Sequence, residues 1–113
     1  MTTKVSVADA PAIAGLTFRR PRGDDADYEA MATLTAAANG HDGIPYRPSA
    51  ANLREELEGS DGLDLRADLV IAEVDGQAVA EAGVERGMRA GIVTYETWGH
   101  VDPAWRRRGI GRA

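Results

Sequence analysis

The 113-residue sequence contains no cysteine, which removes disulfides and thiolate-held metals from its chemistry. Histidine is nearly as scarce. His41 and His100 stand alone and far apart, without the spacing of metal ligands, so no metal site is expected. Long apolar runs are also missing. The opening stretch MTTKVSVADAPAIAG is broken by Asp9 and fits neither a signal peptide nor a membrane-spanning helix. Basic charge is in deficit, with a net charge of −5, which argues against general affinity for nucleic acid or an anionic membrane. Repeats, low-complexity tracts and a linker that would split the chain are absent as well.

What is present suits one small domain. The chain is long enough for a single core and short for a self-contained enzyme. A hydrophobic content of 43% and a charged content of 27% mark a globular chain that is not disordered. Residues 1–15 read as a flexible leader on a cytoplasmic protein. "LTFRRPRG" (16–23) reads as a short strand, with Pro21 at its end or edge. "DDADYEAMATLTAAANG" (24–40) reads as a helix. Its acids crowd the first turn, Met31, Leu34, Thr35 and Ala38 form one face, and Asn39-Gly40 supplies a stop. "SAANLREELEG" (49–59) reads as a second helix, capped by Ser49, striped by Ala50, Leu53 and Leu57, and ended by Gly59.

Strands follow. Residues 68–87 read as two strands around Asp75-Gly76, a pair suited to the positive φ angles of a type I′ turn. "GIVTYETWGHV" (91–101) is a third, rich in β-branched and aromatic residues. The expected order is strand, helix, helix, strand, strand, strand, an α+β arrangement.

Charge then changes sign. From Asp102 onward the chain carries +3, against −8 for residues 1–101. This basic end reads V-x-P-x-x-R-x-x-G-x-G, through Val101, Pro103, Arg106, Gly109 and Gly111. Glycines two apart let backbone amides converge on one point, and a helix start and arginines add dipole and charge, which together make a phosphate site. The competing reading is an ordinary helix opening at Asp102-Pro103 followed by a weak surface helix. Two interior glycines, at about 1 kcal/mol each, count against it.

The fuller pattern resembles the acyl-CoA signature of the GNAT superfamily of N-acetyltransferases, and the order of elements over residues 16–113 agrees with that family. The resemblance implies a sandwich of helices on a mixed, mostly antiparallel sheet. It implies acetyl or another acyl group carried by CoA to an amine, with no metal. Arg106, Arg107, Arg108, Gly109, Ile110, Gly111 and Arg112 would bind the pyrophosphate. Backbone groups near His100 and Val101 would pair with the pantetheine arm and hold the acyl carbonyl. Tyr95 and Thr97 would be directed at the acyl group, with Glu96 on the opposite face unless a bulge near Gly99 intervenes.

Other roles follow less directly. Glu81, Glu85 and Glu96 are candidate bases, and Tyr95 is a candidate catalytic residue that would contact substrate or order a water. By the same resemblance, His41, Asp42 and Tyr46, in the 39–48 connection, are candidate acceptor contacts. Trp98 and Trp105 read as packing. Elements that follow this motif in the family have no counterpart here, which leads us to expect the N-terminal part of a GNAT domain, inactive alone. An edge at residues 91–101 would then favour a homodimer. The alternative function is a non-catalytic module whose arginine-rich end docks a phosphate-bearing ligand or acidic partner.

Overall fold

The structure is a computed structural model that describes residues 3–112, apart from the Arg112 side chain. Its elements are β1 (Lys4–Val5), β2 (Leu16–Arg19), α1 (Asp25–Asp42), α2 (Ala50–Glu58), α3 (Leu65–Asp68), β3 (Leu69–Val74), β4 (Gln77–Arg89) and β5 (Ile92–Val101). Short 3₁₀ turns follow at Pro103–Trp105 and Ile110–Arg112. The five strands form one sheet in sequence order, β1-β2-β3-β4-β5, and every pairing among the described residues is antiparallel. The architecture is α+β, as expected, with β5 at an edge. Three elements differ from the sequence reading. Lys4–Val5 pairs with Phe18 and Arg19, so the leader contributes a strand. Helix α3 was not anticipated, and α1 passes through Asn39-Gly40.

Local chemistry explains the boundaries. Asp24 caps α1 by accepting the Asp27 amide at 3.0 Å. The helix stops at Gly43, which takes φ 72° and returns its amide to the Asn39 carbonyl. Asn39 does not end the helix because its side chain is buried and donates to the Tyr46 carbonyl at 2.8 Å, anchoring the next loop. Ser49 and Asn52 form a reciprocal capping box at the start of α2. The tight turns take positive φ at Asp75 and Gly76, then at Ala90 and Gly91, which matches the twist of the flanking strands.

The sheet is covered differently on its two faces. Tyr28 and Met31 of α1, with Leu53 and Leu57 of α2, pack on Leu69, Ile71 and Trp98. On the other face Leu16, Phe18, Ala72, Val74, Ala80 and Val101 pack with Ile13, Trp105 and Ile110. Burial of each large aliphatic side chain here, such as Leu69 and Ile71 at 0% exposure, contributes about 1.5–3 kcal/mol. A bulge shapes the second face. Ala72 pairs with Ala80 but Glu73 pairs with Ala78, leaving Val79 as the extra residue, and its carbonyl accepts the Asp102 amide at 2.8 Å.

One buried ionic cluster ties α1 to the sheet. Arg19 of β2 reaches Asp27 with donor distances of 2.6 and 3.2 Å and Glu73 of β3 at 3.2 Å. Asp27 also accepts the Arg22 amide at 2.6 Å. Burial pushes the Asp27 carboxyl upward, but the bonds from Arg19 and the Arg22 amide outweigh it and hold the group below the usual range.

Candidate active site

The chain leaves β5 at Val101 and turns back under α1. Arg106 makes this turn rigid. Its Nε donates to the Val101 carbonyl at 3.2 Å, and its two terminal nitrogens grip Asp42 at 2.7 and 3.0 Å. This fork raises Arg106 and lowers Asp42 relative to their ordinary values, chiefly through the shared hydrogen bonds. The contact pairs two residues that the sequence singled out separately. Arg106 is a brace between strand and helix, and Asp42 is its partner at the end of α1.

The loop beyond Arg106 has an unusual backbone. Arg107 takes φ 66° and Gly109 takes φ 92°. Among the described residues, the amides of Arg107, Arg108 and Gly109 donate to no main-chain carbonyl. Unpaired amides on a chain of alternating φ sign form a concavity that suits an anion. Gly111 is open, since a Cβ there would meet nothing within 4 Å, whereas one at Gly109 would lie 3.3 Å from Pro11. Ile110 is buried in the core at 7% exposure, so only its backbone can face a ligand. The Arg108 guanidinium stacks over Trp105 at 4.8 Å. The side chain of Arg112 lies outside what is described. A cleft of about 480 Å³ runs beside this loop and is bounded by Asn39, Asp42, His100, Arg107 and Gly111.

His100 belongs to a second cleft as well. This cavity of about 560 Å³ lies between the helices and the β4–β5 hairpin, with Met31, Leu53, Leu57 and Trp98 as apolar wall and Glu56, Glu81 and Glu85 as acidic lining. The cross-strand register places Glu81 opposite His100, and the carboxylate contacts Nδ1 of the ring. This bond raises the His100 pKa; partial burial opposes the shift without cancelling it. Glu85 accepts from Ser60, and the Tyr46 hydroxyl donates to Glu56 at 3.0 Å. Trp98 fits because Gly83 opposite it has no side chain; a Cβ there would sit 2.6 Å from the indole.

The remaining sequence candidates are dispersed. Tyr95 is 67% exposed, and neither cleft includes it. Glu96 lies outside both clefts, paired with Arg89 at 3.0 Å on the exposed part of the hairpin. His41 is exposed and lines neither cavity. Tyr46 does line the acidic cleft. Sequence reasoning missed the His100 side chain, treated there only as backbone, and the Glu56 and Trp98 walls. A count along the hairpin from the Ala90-Gly91 turn would have set Glu81 against His100. Among the described residues, no group of three or more His, Asp or Glu is placed to hold a metal, and no helix is long and apolar enough to cross a membrane.

No protein-family model matches the sequence, and no curated protein matches it. Solved structures do. A GCN5-related N-acetyltransferase from Sphaerobacter thermophilus aligns over 86% of this chain at 30% identity with a TM-score of 0.59. A GNAT-family acetyltransferase from Brucella melitensis, solved with acetyl-CoA, aligns over 86% at 22% identity and a TM-score of 0.67. Salmonella typhimurium yncA, solved with its cofactor acetyl-CoA, aligns over 87% at 21% identity and a TM-score of 0.62. The chain spans 29%, 61% and 57% of those three chains, respectively. Its fold is that of the GNAT acetyltransferases.

Proposed function

We propose that this chain supplies the acyl-CoA loop and one wall of the acceptor site of an N-acetyltransferase. One observation carries the reading: the V-x-P-x-x-R-x-x-G-x-G loop, in which the amides of Arg107–Gly109 donate to no main-chain carbonyl among the described residues and adjoin an open Gly111. CoA, as substrate, would place its pyrophosphate against these amides and the helix-like turn after them. The acceptor amine would enter the acidic cleft as an ammonium, drawn by Glu56 and Glu85. The binding-module alternative is less well supported, because Arg106 and Arg108 are already engaged by Asp42 and Trp105. A second copy of the chain, pairing along the β5 edge, would be the protein partner.

Calorimetry with acetyl-CoA tests the loop. Gly111→Val should weaken binding at least about tenfold, some 1.4 kcal/mol, without unfolding the chain, since its Cβ has open space. Undiminished affinity in a folded Gly111→Val protein would discard the pyrophosphate site. Gly109→Val is a poorer probe, because φ 92° would strain any side chain there.

A further inference from the structure

Resting on that acyl-transfer reading, we infer that His100 is the proton acceptor for the incoming amine and that Glu81 is the residue that positions it. The two face each other across the β4–β5 ladder, on the side covered by the helices. Glu81 is 5% exposed and presents its Oε1 to Nδ1 of the ring. An ionised carboxylate can only accept, so neutral His100 must carry its proton on Nδ1. The lone pair is then on Nε2, which no described side chain occupies.

Placement makes this nitrogen useful. His100 keeps 22% of its side-chain surface open and lines both the acidic cleft and the cleft beside the Arg107–Gly111 loop. It therefore stands between the cavity suited to the amine and the loop suited to CoA. The charged groups around it are Glu81 of β4, Asp42 at the end of α1 and Arg106 after β5, with Glu56 of α2 and Glu85 of β4 along the cleft. Asp42 and Arg106 neutralise one another, so Glu81 dominates.

The proton balance is complete. An ammonium gives one proton to Nε2, and the freed pair attacks the thioester carbonyl carbon. The C–N bond forms, the C–S bond breaks, and the second N–H proton goes to the departing thiolate. The imidazolium then releases its proton to solvent, leaving an amide, a thiol and one proton. A purely bracing role for the pair predicts different measurements.

The experiment combines imidazole ¹⁵N NMR on the chain with pH profiles of acetyl transfer from acetyl-CoA to a panel of diamines and monoamines. We expect the Nδ1–H tautomer in the wild type and a His100 pKa that falls in Glu81→Gln. We expect the acidic limb of kcat/KM to move to lower pH in that variant, and His100→Gln to lose about 100-fold or more. Transfer by the wild type with an unmoved limb in Glu81→Gln, or near-full activity in folded His100→Gln, would overturn the inference alone. A ring with its proton on Nε2, or a titration indifferent to Glu81→Gln, would do the same without any assay of turnover. Failure of the wild type to bind acetyl-CoA would overturn the acyl-transfer reading, and the catalytic role with it; in a chain that binds acetyl-CoA without turnover, the two NMR measurements decide the inference.

Discussion

Glu81 and His100 face each other at one end of the β4–β5 hairpin, and Met88 and Val93 face each other at the other. The polar pair is buried or nearly so, at 5% for Glu81 and 22% for the His100 side chain. The apolar pair is exposed, at 69% and 50%. One ladder of backbone hydrogen bonds runs through both, so strand pairing does not distinguish them. The difference is cover. Helices α1 and α2 roof the inner end and leave the outer end bare. A polar pair survives under a roof because each partner satisfies the other, while an uncovered apolar edge is a surface for association.

The largest effect should come from taking the roof away. Asp27→Ala would leave Arg19 buried without its main partner, and we expect a loss of about 3–5 kcal/mol in urea denaturation. Tyr95→Thr, at the bare end, should stay within about 0.5 kcal/mol. Equal losses in the two variants would erase the distinction between the ends. The same cluster sets acid sensitivity. Because the Asp27 carboxyl is lowered in the folded chain, its contribution is present above the usual carboxylate value of 3.8 and is lost as pH falls through the lower folded value. Asp27→Asn should flatten the acid limb of stability against pH.

A smaller effect tests the fit inside the roofed end. Gly83→Ala should drive a methyl group into Trp98 and cost about 1–3 kcal/mol, with a change in indole fluorescence. An unchanged stability would show that Trp98 has room to move.

The His100–Glu81 pair adds a pH term of opposite sign to that of Asp27. His100 is raised by Glu81, so its stabilisation is full below 6.5 and disappears as pH climbs through the raised folded value. Melting curves from pH 6 to 9 should show a decline that Glu81→Gln removes. The smallest and most conditional effect is at the bare end. Sedimentation over a concentration series should show self-association that Val93→Lys weakens. A strictly monomeric chain at high micromolar concentration would show that the exposed β5 edge is tolerated without a partner.

Much of this was legible from short stretches. The Ser49 cap, the Asp75-Gly76 turn and the stripe of Met31, Leu34, Thr35 and Ala38 came out as read. Each depends on chemistry within a few residues. The end of α1 was misplaced because Asn39-Gly40 carries a strong local stop signal, yet the buried Asn39 amide is used to hold Tyr46 instead. Among site residues, the glycine loop was singled out by pattern, and its backbone takes positive φ at Arg107 and Gly109. His41 was named for its place in a connection, and Tyr95 and Glu96 for their places on a strand, and neither says how far along the sheet the helices reach.

The division follows the range of the forces. Local chemistry accounts for the turns, the helix caps, the antiparallel pairing of strands joined by tight turns and the positive φ angles of the glycine loop, since these depend on φ, ψ and spacing. Packing between distant elements decided that Arg106 would reach back 64 residues to Asp42. It also decided that Glu81 and His100 would lie under the helices, and that the same hairpin would end in open solvent. Those outcomes depend on where α1 docks, and docking is set by Arg19, Asp27 and Glu73, on three separate elements, meeting in one buried cluster.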